Sequence, residues 1–294
     1  MSDPAVILMA YGSPERLADV PAYYADIRGG RPIAPELLDD LVERYRRLGI
    51  EDSNPLNAIT ERTRDALQTE LGIPVLTGMK HWTPRIEDAV DGAVAGGAGV
   101  LVGLVLAPHY SRLSIGGYER LLADAVDGRD VEVRFVTSWH DDPGLVSFLA
   151  DRISGTEAHV VFTAHSLPAR ILAEGDPYAD QLLETSRLVA EAAAVDDWSF
   201  SYQSESPTGE PWLQPDIVDH VTALHAAGVR RVLLCPVGFV SDHLEIRFDL
   251  DTEAKARAEE LGMQLTRIEM PNDDPRFVQA LAQIVRRALH PVAA

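Results

Sequence analysis

Glu245, Asp249 and Glu253 fall at intervals of four in the run from Val240 to Glu253, directly after an apolar stretch beginning at Arg231. On a helix, four residues overshoot one turn by only about 40°, so the three carboxylates share one face. Like charges at that spacing weaken a helix. A divalent cation that binds at the row, or travels along it, gives such a row a purpose. The same residues also allow a plainer reading. Asp242 with Glu245 three positions later suits a capping box, and an acidic face can simply be solvated.

Other residues of the same chemical kind stand at the ends of apolar runs. Tyr11, Lys80, His81, His109, Tyr110, His165, Ser204, Asp242, His243 and Glu245 all follow such runs directly. Imidazole mixed with carboxylate suits a divalent first-row metal in an open site. His165, just before Ser166-Leu167-Pro168, is the strongest single ligand candidate; a histidine hydrogen-bonded at a domain seam is the alternative. No glycine-rich dinucleotide fingerprint, P-loop or nucleophile elbow is present. The His and Cys spacings form no closed zinc site either.

The elements that must carry these residues alternate. Apolar runs predict strands at Ala5–Ala10, Val75–Met79, Val100–Ala107, Val131–Thr137, His159–Thr163, Trp198–Tyr202, Arg231–Val237 and Gln264–Ile268. Helical periodicity lies between them, at Pro55–Leu71, Thr83–Ala95, Gly117–Val126, Asp176–Ala194 and Pro215–Ala227, and closes the chain at Phe277–Leu289. Continuously apolar strands separated by helices indicate parallel βαβ units. The two sets of strands end alike, Ala10-Tyr11-Gly12-Ser13-Pro14 against Ala164-His165-Ser166-Leu167-Pro168. The expected fold is α/β, with two similar Rossmann-like domains at 1–142 and 143–294. The last helix, about 275–290, should pack back on the first domain. Ligands bind beyond the carboxyl ends of such strands, so two facing halves would gather the polar residues in one interdomain cleft.

Composition narrows the partners. The chain has 294 residues and a formal net charge of −20, which argues against nucleic acid and anionic membranes. An anionic substrate would need a local basic patch. One cysteine excludes an internal disulfide or a cluster held by four cysteines of one chain, and Cys235 reads as a small buried hydrophobe. No basic leader precedes Ala5, and no apolar run approaches about 18 residues, so a soluble cytoplasmic protein is expected.

Taken in order, the motifs resemble those of the ferrochelatases, which insert ferrous iron into a porphyrin. The matching stretches are LMAYGSP from Leu8, YYADIRGGRP from Tyr23, Arg44-Tyr45, MKH from Met79, LAPHYS from Leu106 and TAHSLP from Thr163. GDPY from Gly175, YQSE from Tyr202, PWLQP from Pro211 and PVGFVSDHLE from Pro236 continue the series. The resemblance runs from about residue 5 to 285. It implies that His165 and Glu245 are the catalytic, metal-binding pair on one side of the macrocycle, with Tyr11 on the other. It implies propionate contacts from Arg28, Arg44, Tyr45, Tyr118 and, within Asp52-Ser53-Asn54-Pro55-Leu56, Ser53. Tyr202 stands where relatives often carry tryptophan.

On this reading Asp249 and Glu253 form a metal or proton path, and Lys80 and His81 line the cleft. A neutral His165 would accept a pyrrole proton while Glu245 compensates charge. No cofactor is required and no iron–sulfur cluster is expected, iron being a substrate. A monomer is expected, with a downstream enzyme of haem synthesis as a candidate partner and no integral membrane association. The segment Glu15 to Leu37 lacks a long greasy lip, which resembles the soluble bacterial ferrochelatases acting on coproporphyrin III, with protoporphyrin IX the runner-up. A cobalt or nickel chelatase, or a non-catalytic tetrapyrrole carrier of the same fold, is the alternative.

Overall fold

Two four-stranded parallel sheets, each wrapped by helices, carry the polar residues. The computed structural model describes residues 3–49, 55–206 and 209–290. In the first half β1 (Asp3–Ala10) leads through α1 (Val20–Ile27), α2 (Pro35–Arg47) and α3 (Pro55–Leu71) to β2 (Val75–Met79). Then follow α4 (Ile86–Ala95), β3 (Ala98–Val105), α5 (Ile115–Val126) and β4 (Glu132–Val136). The second half runs α6 (Pro143–Ile153), β5 (His159–His165), α7 (Arg170–Ala173), α8 (Tyr178–Ala193), β6 (Trp198–Gln203), α9 (Ile217–Ala226) and β7 (Arg231–Cys235). A π-helix (Ile246–Ala254) continues into α10 (Lys255–Glu260), and β8 (Gln264–Arg267) and α11 (Pro275–Leu289) close the chain.

The strand orders are β2-β1-β3-β4 and β6-β5-β7-β8, so the halves repeat one topology. In each, the first strand sits between the second and third, in parallel register. The central strands are sealed on both faces: Val6 to Met9 and Val160 to Phe162 are fully buried. Such strands must be continuously apolar, because neither face meets water. All eight expected strands are present, with ends displaced by a few residues.

α1, α2 and α6 lie outside the helical patterns read from sequence. α2 is thick with charge, and only Tyr45 of it is buried, so apolar periodicity hardly marks it. The acidic run is helical but wound as a π-helix: the Lys255 amide reaches back five residues to the Leu250 carbonyl. With about 4.4 residues per turn, i+4 falls just short of a full turn instead of just past it. The carboxylates therefore stay on one face.

One core joins the halves. Val6, Leu8 and Leu104 of the first sheet share a cluster with Val160 and Phe162 of the second, and with Trp139, Leu149 and Phe277. α11 packs on α3, β3 and β4 as well as on α6. α6 begins at Pro143, where Asp142 caps the helix by accepting from the amides of Gly144 and Leu145. In return, Leu244, at the start of the acidic segment, packs into the α1–α2 cluster around Val20 and Tyr45. Among the described residues no helix is long and apolar enough to cross a membrane.

Candidate active site

His165 is the last residue of β5, and Glu245 precedes the π-helix that follows β7. Adjacent strands of a parallel sheet deliver both to the same edge. Their approach is close because Gly238 lies against β5: an added Cβ there would stand 2.8 Å from the Ala164 Cα. His165 Nε2 faces Glu245 Oε1 at 3.6 Å, and His243 Nε2 faces Glu245 Oε2 at 3.5 Å. Each side chain of the His165–Glu245 pair is about a third exposed, at 30% and 35%. His165 Nδ1 contacts the Ser166 carbonyl, which leaves Nε2 turned to the carboxylate. The Tyr178 hydroxyl donates to the His165 carbonyl at 3.0 Å and holds the strand end from behind.

Burial disfavours charge on both partners, but each opposes it for the other. The charge of Glu245, its hydrogen bond and the Ser166 carbonyl outweigh burial and push His165 up to about 9. His165 and His243 hold Glu245 well below the usual carboxylate range despite its burial. The sequence reading had His165 neutral. Together these shifts favour imidazolium and carboxylate for the resting pair.

Asp249, one winding further, is buried, and its Oδ2 contacts the Ser204 hydroxyl. Ser204 adopts φ +64°, a strained position for a residue with a side chain. Gln203 Nε2 reaches the Glu245 carbonyl at 3.4 Å, and its Oε1 accepts from the Thr163 hydroxyl at 3.1 Å. Burial and the charge of Glu245 push Asp249 up to about 7. Glu253 is also raised, chiefly by burial.

The opposite wall comes from the first half. Tyr11, 41% exposed, follows β1 and packs on His81, with ring centroids 4.6 Å apart. Its hydroxyl is raised by burial and then by Glu245, whose charge reaches it from the other half. His81 Nδ1 lies 2.8 Å from Asp26 Oδ2, and Arg85 Nη2 donates to the other oxygen of Asp26 at 2.8 Å. Burial lowers His81 even so. Arg44 stacks on Phe248 at 4.7 Å and pairs with Asp40, while Arg28 Nη2 donates to the Pro32 carbonyl at 3.1 Å.

Several expectations change. Tyr45 is buried, with hydrogen bonds to Ser13 and Tyr24, and Tyr118 is buried beneath Lys80. Asp242 makes no capping box: its carboxylate accepts from Arg267 and Asn272 instead. His109 does not line the cleft. It is 3% exposed, contacts Thr185 at 2.8 Å, and is held neutral by burial at about 3. Cys235 is fully buried, as its surroundings in sequence suggested. Ser53 and Asn54 lie outside the described residues. Sequence reasoning missed Asp26, Gly238 and Tyr178 as supports, although all three stand inside quoted motifs. Among the described residues no group of three or more His, Cys, Asp or Glu side chains is arranged to hold a metal ion.

Known proteins resemble this chain in sequence and fold. The ferrochelatase family model matches residues 3–289. A ferrochelatase of Herpetosiphon aurantiacus is 44% identical over 96% of this chain and 97% of its own length. A ferrochelatase of Deinococcus radiodurans is 40% identical over 98% and 96%, and a coproporphyrin III ferrochelatase of Oceanobacillus iheyensis 38% identical over 96% of each. The solved structure of SirB from Bacillus subtilis with Fe3+ superposes with a TM-score of 0.64 over 98% of this chain and 96% of that one. At 12% identity that likeness shows the fold alone, the chelatase-type pair of α/β halves. With the motifs in order and nearly the whole chain matched, the protein belongs to the ferrochelatase family of metal-inserting enzymes.

Proposed function

We propose that this ferrochelatase inserts ferrous iron into coproporphyrin III, a ring with four propionates, to give iron-coproporphyrin. The observation that carries the choice is the lip formed by residues 15–37. No large apolar side chain of this segment is exposed, while Arg31 is exposed and Arg28 half-buried. A ring with two vinyl groups would favour an apolar lip; a tetracarboxylate favours cations. Relatives named coproporphyrin III ferrochelatase, in Oceanobacillus iheyensis and Bacillus subtilis among others, support it.

In this mechanism Glu253 and Asp249 lead ferrous iron to Glu245 and His165. The approaching dication displaces the proton of His165, which passes by way of Asp249 to water, and Nε2 then offers a lone pair while Glu245 balances charge. Tyr11 and His81 press on the other face of the ring. A bent ring turns its nitrogen lone pairs toward iron, and a cleft that fits it better than the flat ring lowers the barrier. Two pyrrole protons leave as iron enters the ring; His165 takes one once its Nε2 has released the iron, and Glu245 or Asp249 passes the other to water. Arg28, Arg44, Tyr45, Ser53 and Tyr118 hold propionates in this reading.

Iron is a substrate here, and the reading requires no prosthetic group. It takes the enzyme as a cytoplasmic monomer. Anaerobic turnover of both porphyrins with ferrous iron tests the substrate, and a higher kcat/KM for protoporphyrin IX would refute the choice. His165→Ala separates a catalyst from a carrier: it should abolish insertion and retain porphyrin binding.

A further inference from the structure

We propose that Asp26, clamped by Arg85, is a positioning residue that fixes the His81 ring in the cleft wall, so that the wall can hold the bound porphyrin bent. The inference rests on the reading above in which Tyr11 and His81 press on one face of the ring. His81 Nδ1 lies 2.8 Å from Asp26 Oδ2, and the His81 side chain is 14% exposed. An ionised carboxylate can only accept, so the ring carries its proton on Nδ1 and leaves Nε2 bare. Arg85 holds the Asp26 carboxyl below its ordinary value, which keeps it an acceptor. Among the described residues no hydrogen bond reaches Nε2, so Asp26 is the hydrogen-bonded anchor of the ring. An orienting carboxylate by itself would also draw a second proton onto the imidazole. Burial outweighs that pull, and Lys80 and Arg85 oppose it too. The ring is thereby aimed without being charged, which suits a wall opposite an incoming dication.

Three parts of the first half build the clamp. Asp26 stands on α1, while His81 and Arg85 stand in the loop between β2 and α4. Arg85 grips Asp26 as a fork: Nη2 donates to Oδ1 at 2.8 Å, and Nη1 donates to Oδ2 at 3.2 Å and to the Lys80 carbonyl at 2.9 Å. The amides of Lys80 and His81 donate to the carbonyls of Ala10 and Tyr11, which ties the loop to the end of β1. α1 reaches the same place. The Tyr23 hydroxyl donates to the Gly12 carbonyl at 2.8 Å, and the Tyr23 ring meets Trp82 edge-on, 6.1 Å between centroids. Gly12, at φ +82°, lets these segments close, since an added Cβ would stand 2.5 Å from the Trp82 Cβ. His81, packed on Tyr11, thus sits in a frame that the Asp26–Arg85 fork completes. The two side chains of the fork are 33% and 42% exposed, and ion pairs so open to water add little to stability. Their effect is on aim.

The test records resonance Raman spectra of metal-free coproporphyrin III and protoporphyrin IX bound to the enzyme, together with anaerobic turnover and thermal melting. The wild type should show out-of-plane bands stronger than those of the free porphyrins. Asp26→Asn and Arg85→Gln should each weaken these bands and lower kcat about tenfold, with the porphyrin KM and the melting temperature little changed. His81→Ala should weaken the bands at least as far, and adding Asp26→Asn to it should change nothing more, because the carboxylate acts through the ring. Undiminished bands in Asp26→Asn, a kcat that falls only as far as melting does, or a further loss in the double variant overturns the positioning role. A flat ring in the wild type, whichever porphyrin is bound, overturns the pressing wall itself, and it is established before any variant is compared.

Discussion

His165 and Glu245 share one proton at rest, and that fixes a pH dependence. The folded value of His165 lies above the ordinary 6.5, at about 9. Its contribution to stability is therefore complete below the ordinary value and is lost as pH rises through about 9. In the proposed mechanism iron displaces the same proton, so the KM for ferrous iron should fall as pH rises toward about 9, measured anaerobically at saturating porphyrin. Glu245→Gln removes the group that raises His165. We expect kcat to fall about 100-fold or more and the alkaline dependence to disappear. Asp249 shifts in the same direction, but because burial and Glu245 disfavour its charge. Its folded value is raised to about 7, so the fold favours its protonated form, and stability drops as pH rises from the ordinary carboxylate range through 7. Asp249→Asn should melt higher than the parent at pH above 7, with ferrous-iron turnover losing its inflection near 7. Residue types and spacing exposed the carboxylate row and His165 in the sequence. The protonation of His165 was not legible, because it depends on a partner 80 positions away in the chain brought to 3.6 Å.

Gly238 governs the element scale, because it lets the loop after β7 lie against β5. Gly238→Ala would force Ala164 and the loop apart, an overpacking cost of about 1–3 kcal/mol. The larger effect should be functional, since the displaced loop leads to Glu245. We expect the KM for ferrous iron to rise several-fold with little change in porphyrin binding, read by fluorescence titration; equal losses in both would assign Gly238 to stability alone. The strands were legible because burial on both faces demands unbroken apolar runs. The π winding was not, because acidic residues four apart satisfy an α- and a π-helix alike. α2 escaped because its 13 residues bury only Tyr45.

At the scale of the molecule, the core around Val6, Phe162 and Phe277 runs through both halves. Phe277→Ala, in a fully buried position, should cost about 3–5 kcal/mol. Urea unfolding should then shift to lower concentration as one transition, with fluorescence and circular dichroism coincident; separate transitions would mean that each half keeps its own core. The repeated topology could be read from paired strand ends such as Tyr11 and His165. The exchange of parts could not: α11 packing on α3, or Leu244 entering the α1–α2 cluster, depends on surfaces that local sequence does not encode.

The winding of Ile246–Ala254 also bears on how this enzyme can tolerate change in chain length. Its acidic row is aligned by backbone hydrogen bonds that span five residues, so the alignment works as a reading frame. Removing one residue between Asp249 and Glu253 would keep all three acids yet swing Glu253 aside by most of a right angle. Insertions and deletions should therefore be far costlier here than conservative substitutions, even at positions whose own side chains touch nothing in the cleft.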